Sequence, residues 1–212
     1  MSHAPMPTAV SLAEPMRSRW SPSIFDDRAV LGAEELRTLL RAAQWAPSNG
    51  NTQPWAFLVA ERGGAAHAVL VPHLSRGNSG WVPRASVVVL TATQVGRDEN
   101  GEELMGADYA CHDLGQAAAH LTLQARAMDL HAHQFAGFDR LAVAVALGVP
   151  AHFQVMSGIA IGRRGDPADV SERDRERDQR ARSRKPLAEF VFGDQWGRPW
   201  GPADEPGPTS RA

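Results

Sequence analysis

Apolar residues recur along the chain at two different spacings. In GAEELRTLLRAAQWA (32–46), Leu36, Leu39, Leu40 and Ala43 share one face at the helical period. Glu34 and Glu35 sit in the first turn, where the backbone dipole is positive, and Pro47 stands just beyond, so a helix is predicted. GADYACHDLGQAAAHLTLQARAMDL (106–130) carries the longest helical stripe, through Leu114, Ala118, Leu121, Ala125 and Met128. Its many Ala and Gly residues let another backbone come close. DRLAVAVALG (139–148) predicts a shorter helix stopped at Gly148. WAFLVAE (55–61), AVLVPH (68–73), ASVVVLTAT (85–93) and VMSGIAIG (155–162) predict strands, and the 85–93 strand is apolar enough to be buried on both faces.

Between these segments lie stretches of other character. Residues 1–16 are rich in Pro, Ala and Ser and predict a flexible N-terminal arm. RRGDPADVSERDRERDQRARSRKP (163–186) is almost wholly polar and predicts a solvated helix or loop. The Gly/Pro-rich end predicts a tail that wraps a surface and then loses order from about residue 201. Helices and strands mix with no repeat and no linker, which predicts a single α+β or α/β domain.

Composition narrows the class further. A chain of 212 residues buries roughly 70% of the surface its unfolded form exposes, so it needs no staple. Hydrophobic content of 43% and charged content of 22% are those of a globular protein. A formal net charge of −2 offers no electrostatic case for nucleic acid or an anionic membrane as partner. Cys111 is the one cysteine, so no internal disulfide can form and a reducing compartment is expected. The first residues lack a basic start followed by an apolar core, and no apolar run reaches the ~20 residues a spanning helix needs. A cytoplasmic location is the expectation.

Candidate chemistry is sparse where catalytic motifs are sought. HExxH, paired CxxC, GxSxG, the phosphate-loop lysine motif and GxGxxG are all absent from the sequence. His112, His120, His131 and His133 form no consistent metal-ligand set and are expected as scattered surface or core residues. Cys111 is expected as a packed core residue. Arg17 and Arg19 near one end, and Arg182, Arg184 and Lys185 near the other, either solubilise the chain or meet on one phosphate. QWAPSNGNTQPW (44–55) places Ser48, Asn49, Asn51 and Gln53 directly after a helix end. Such a loop either grips the polar edge of a flat heterocycle or satisfies its own backbone, and both readings stand open.

Several of these stretches, taken in order, resemble the nitroreductase family of FMN-dependent oxidoreductases. RWSPSIF (19–25) resembles that family's Arg-x-Ser-x-Arg/Lys-x-Phe opening, and APSNGNTQPW (46–55) its Ala-Pro-Ser-Ser-x-Asn-x-Gln-Pro-Trp stretch. NSGWVPRASVVVL (78–90) is similar to its Asn before an apolar strand. DLGQAAAHLTLQARAMDLHAHQFAGFD (113–139) resembles the central helix with its following Gly-Phe-Asp, and GVP…IAIG (148–162) and RSRKPL (182–187) complete a series that implies one FMN-binding domain over 17–200.

The resemblance implies an α+β fold with a central mixed sheet flanked by helices, in an intertwined homodimer with FMN at the subunit interface. By position, it sets Arg19, Trp20 and Ser21 against the phosphate and ribityl chain, joined by Arg182 and Arg184. Pro47, Ser48, Asn49 and Asn51 would flank the cofactor from the partner subunit, and Asn78 would approach the polar edge of the ring system. Ala136 and Gly137, with Phe135 before them, would present backbone N–H groups near the flavin N5. Three positions depart from the pattern: Ser23, also placed at the cofactor, stands where the family carries Arg or Lys, Asn49 replaces a second Ser, and Ala136 stands where some members carry Glu. The implied activity is ping-pong hydride transfer from NAD(P)H through the flavin to nitroaromatic, quinone or related small-molecule acceptors, with no side chain required as nucleophile. A specialised member that dehalogenates, desaturates or consumes its flavin, and a non-catalytic flavin-binding protein, are the alternatives.

Overall fold

Four strands make one sheet in the order β1-β2-β4-β3: β1 (Trp55–Glu61), β2 (Val87–Gln94), β3 (His131–Phe135) and β4 (Phe153–Gly162). The computed structural model describes residues 12–201. Around the sheet run α1 (Glu14–Ser18), α2 (Ala33–Gln44), α3 (Ala65–Leu70), α4 (Ala110–Ala127), α5 (Arg140–Ala146) and α6 (Glu172–Asp178). The fold is α+β, as expected. All three strand pairings are antiparallel, whereas a mixed sheet was expected.

Period-two alternation divides the sheet between two cores. Val87 and Val89 of β2 and Ile159 and Ile161 of β4 meet Leu39 and Ala43 of α2 and Ala117, Leu121 and Ala125 of α4. Val88, Leu90 and Ala92 face the other way, onto Phe25, Leu70, Leu74, Trp81, Phe138 and Val143. On β4, Val155 and Ala160 share that second core although five positions apart. A register shift between Thr91 and Ala92 leaves Met156 without a partner and reverses the parity of β4 beyond it.

Three local expectations are corrected. AVLVPH (68–73) is not a strand: α3 runs to Leu70 and a 3₁₀ turn spans Val71–His73. His67 and Leu70 are buried three positions apart, a helical spacing, and Pro72 lacks the N–H a strand ladder needs. HAHQF, read as the continuation after the long helix, is the edge strand β3. Cys111 is exposed, because the buried stripe of α4 runs through Ala110, Leu114 and Ala117 and leaves position 111 outside it. Of the arm expected over 1–16, residues 1–11 lie outside the described residues and Glu14 begins α1. The tail after Gly201 also lies outside them.

By its contacts the chain divides between Gln179 and Arg180 into two compact units. The second contains a 3₁₀ turn, Leu187–Glu189, and a bridge between Phe192 and Pro199. The Gly193 N–H donates to Arg198 O at 2.9 Å, the Trp200 N–H donates to Val191 O at 3.1 Å, and Phe192 and Trp196 lie with ring centroids 4.8 Å apart. No described helix is long and apolar enough to cross a membrane.

Candidate functional site

The site grows from β3. Its alternation puts His131, His133 and Phe135 on the face away from α4, while Gln134 points to α4 and donates to Thr122 Oγ1 at 2.9 Å. The His133 imidazole stacks on the Trp81 indole with centroids 4.2 Å apart, and its Nδ1 lies 2.8 Å from Pro22 O. Phe135 meets the same indole edge-on at 5.7 Å. Gly158 of β4, opposite Phe135, leaves room for that ring: a Cβ there would come 2.5 Å from Phe135 Cζ.

Trp81 also ties the third segment in. Its Nε1–H donates to Asn78 Oδ1 and to Gly77 O, both at 3.2 Å. Asn78 Nδ2 in turn donates to Gly137 O at 3.0 Å, and the Ser75 N–H donates to the same carbonyl at 2.9 Å. Approach is so close that a Cβ on Gly137 would stand 2.6 Å from both Asn78 Nδ2 and Ser75 Oγ. Thus Arg19 to Ser23, Asn78 and Phe135 to Gly137 come together around one tryptophan. Arg19 Nη1 reaches Ser21 Oγ at 3.3 Å, Ser21 and Ala136 are exposed, and Trp20 and Ser23 are buried.

A charged cluster backs this region. The Ser23 N–H donates to Asp178 Oδ1 at 2.7 Å, and the other carboxylate oxygen of Asp178 pairs with Arg164. The Arg164 guanidinium lies 4.8 Å from the centroid of the Trp20 ring, the distance of a cation–π contact. Trp20 meets the His131 ring edge-on at 5.9 Å. Burial, with Arg126 and Arg164 nearby, holds the His131 pKa down to about 4, so the ring is neutral at physiological pH. Burial also lowers His133, against the pull of the Pro22 carbonyl.

The 47–53 loop stands apart from that set. Pro47, Asn49 and Asn51 are exposed and Ser48 is half-buried. The Asn49 N–H donates to Asp113 Oδ2 at 2.9 Å, and Asp113 is a buried carboxylate in the first turn of α4. Ser48 Oγ accepts the Gln53 N–H at 3.0 Å, so part of the loop does satisfy its own backbone. Asn51 and Gln53 hold left-handed backbone, at φ 56° and 50°. Trp45, Met105 and Tyr109 are exposed around this corner, and the Met105 Cε would lie 3.4 Å from a Cβ on Gly50. Arg182 and Arg184 belong to the second unit, where Arg184 Nη1 donates to Ser183 O at 2.7 Å.

Three residues of this region lie outside every quoted motif, Ser75, Arg164 and Asp178, while Trp81 and His133 lie inside quoted stretches that gave them no role at the site. The His-x-His-x-Phe alternation could have exposed β3 and with it His133. Nothing local marks Arg164 or Asp178, whose partners lie far along the chain.

A nitroreductase family profile matches residues 16–79 and 64–163. The chain belongs to the nitroreductase family. It is 37% identical over 151 residues to the uncharacterised 15.4 kDa protein of the ask 5′ region of Mycolicibacterium smegmatis, covering 68% of this chain and 98% of that one. It is 29% identical over 181 residues to Protein DrgA of Synechocystis sp., covering 73% and 85%. The crystal structure of an oxidoreductase containing FMN superposes with a TM-score of 0.82 at 30% identity, covering 91% of this chain and 96% of that chain. A protein described as a nitroreductase in complex with FMN, from Desulfovibrio desulfuricans, superposes with a TM-score of 0.67 at 25% identity, covering 86% and 96%.

The side chains of this nitroreductase-family member fit an FMN. Ser23 Oγ, His131 Nδ1 and Arg164 Nη1 are buried without a hydrogen-bond partner; His131 and Arg164 lie against the Trp20 ring, and the Ser23 N–H meets the Asp178 carboxylate that pairs with Arg164. Buried polar atoms left unpaired cost free energy, so their grouping at one place suits a polar ligand. Gly137 supplies close backbone approach, and the Asn78 amide keeps one N–H and one lone pair beyond the bonds it already makes.

Proposed function

We propose that this protein is an FMN-dependent NAD(P)H oxidoreductase that reduces nitroaromatic, quinone or related acceptors by a ping-pong mechanism, as a cytoplasmic homodimer with its FMN-binding domain at 17–200. The observation that carries this reading is the convergence of Arg19 to Ser23, Asn78 and Phe135 to Gly137 through Trp81 and His133. When bound, FMN supplies the two-electron redox chemistry. The chain's own residues bind, orient and shield.

Arg19, Arg182 and Arg184 would neutralise the phosphate, since a guanidinium fork matches phosphate oxygens, and Ser21 would add a hydroxyl. Trp20 gives the ribityl side a buried wall. Ser23 Oγ offers a hydrogen bond where it now makes none. The Asn78 amide, fixed by Trp81 and Gly137, would present its remaining donor to the polar edge of the ring system. Ala136 and Gly137 would offer backbone N–H groups beside it. Phe135 and Trp81 exclude water behind them.

The dimer is supported by what lies at the other corner. Pro47, Ser48, Asn49 and Asn51 make no described hydrogen bond to the Trp81 region, yet the exposed Trp45, Met105 and Tyr109 surround them with apolar surface. A second copy covering that surface would bring the loop to a flavin held by its partner. NAD(P)H and the acceptor would then take turns in one cavity at the interface.

Purification without added flavin, followed by the visible spectrum and by NADH and NADPH oxidation with a nitroaromatic and a quinone, tests the reading. Yellow protein with acceptor-dependent turnover is expected; FMN bound without turnover on any acceptor defeats the enzyme assignment.

A further inference from the structure

We propose that Arg177 and Asp178, consecutive residues at the end of α6, are positioning residues that lock two separate segments of the FMN site and set the charge balance beside it. The inference rests on the FMN reading above.

The sequence of α6, ERDRERD, is polar throughout and was expected as a solvated helix or loop. One of its side chains is nonetheless buried: Asp178 is 5% exposed. Taking a carboxylate out of water is costly unless it is paired and hydrogen-bonded. Asp178 is both, for one oxygen accepts the Ser23 N–H at 2.7 Å and the other pairs with Arg164. Arg177, one position earlier and about 100° away around the helix, reaches the other segment. Its Nη1 donates to Gly77 O at 2.8 Å, the same carbonyl that receives the Trp81 indole N–H. Two neighbouring side chains thus hold Ser23 on one side and the residue before Asn78 on the other.

The helix is itself anchored at its start. Ser171 Oγ accepts the Asp174 N–H at 3.2 Å, and Arg175 Nη1 donates to Pro167 O and Val170 O at 3.3 and 3.2 Å. Asp178 has a second consequence. Arg164 lies 4.8 Å from the Trp20 ring centroid and keeps Nη1 buried without a partner, so its charge is balanced locally by Asp178. Removing the carboxylate charge while keeping an acceptor oxygen leaves a net positive charge in the cluster. A nearby positive charge favours the more negative, reduced form of a bound flavin.

The test compares wild-type protein with Asp178→Asn, Asp178→Ala and Arg177→Ala, each loaded with FMN. Binding is read by flavin fluorescence titration, the midpoint potential by equilibration with indicator dyes, and folding by circular dichroism. Asp178→Asn is expected to stay folded and to raise the midpoint potential, with a small change in FMN affinity. Asp178→Ala and Arg177→Ala are expected to weaken FMN binding about tenfold, the loss of one charge-assisted hydrogen bond. A potential in Asp178→Asn equal to that of the wild type, together with unchanged FMN affinity in Arg177→Ala, overturns the inference while leaving the FMN reading intact. Wild-type protein that takes up no FMN overturns both.

Discussion

Gly137 shows how a single hydrogen in place of a methyl shapes this site. An added Cβ would press within 2.6 Å of Ser75 Oγ and of Asn78 Nδ2, whose amide is held by Trp81. Gly137→Ala should therefore leave the sheet intact but weaken FMN binding about tenfold or more by displacing Asn78, measurable by fluorescence titration. Native affinity in that variant would mean the loop moves freely and Asn78 is not fixed by it. Arg184→Ala should weaken FMN retention by about 1.5–3 kcal/mol, the value of a charge-assisted contact; unchanged retention would remove Arg184 from the site. His131 acts on stability through pH. Its folded pKa, about 4, lies below the ordinary 6.5, so unfolding binds a proton between those values. The stabilisation is complete above about pH 6.5 and declines as pH falls toward 4, by at most about 3 kcal/mol. Denaturant melts at pH 7 and pH 4.5 should show a smaller difference for His131→Gln than for the wild type, and an identical difference would exclude the ring as the cause.

Helix and strand periods explain most of the architecture at the next scale. Leu121 of α4 is fully buried between α2 and the sheet, so Leu121→Ala should cost about 2–5 kcal/mol, whereas exposed Leu141 on α5 should tolerate alanine with almost no loss. Thermal denaturation distinguishes the two, and equal effects would mean that the two faces of the sheet are assigned wrongly. β1 runs over the whole WAFLVAE stretch, and β2 follows the buried-run pattern from Val87, because β-branched apolar runs flanked by polar loops have few alternatives. The 68–73 stretch is ambiguous for a physical reason: four consecutive apolar residues, Ala68 to Val71, fit either period, and Pro72 together with burial at His67 and Leu70 decided for a helix. β3 was missed because a five-residue edge strand with two histidines gives a weak alternation beside an eighteen-residue helix.

Across the molecule, the candidate cofactor residues separate into two groups by position. The loop after α2 hydrogen-bonds to the start of α4, while the 19–23 segment, through Pro22 and His133, joins Asn78 and Gly137 at Trp81. In the proposed homodimer a second copy would join them, and that dimer should dissociate when charge enters the exposed corner. Tyr109→Glu should sediment as a monomer and lose FMN with the same concentration dependence; a monomeric wild type that still binds FMN would remove the interface from the site.

The order of motifs along the chain was enough to point to the family and to propose cofactor positions, and the apolar stripes gave the long helices, because turn, cap and periodicity preferences act over a few residues. Even the departure at Ser23 is visible in one dimension. Only the tertiary structure decided that His133 stacks on Trp81, that Arg164 lies over Trp20 and that Asp178 of a wholly polar helix is buried against Ser23. Those contacts join residues scores of positions apart, and a paired buried charge carries no local pattern: its identity follows from the partner, which the fold alone brings within reach.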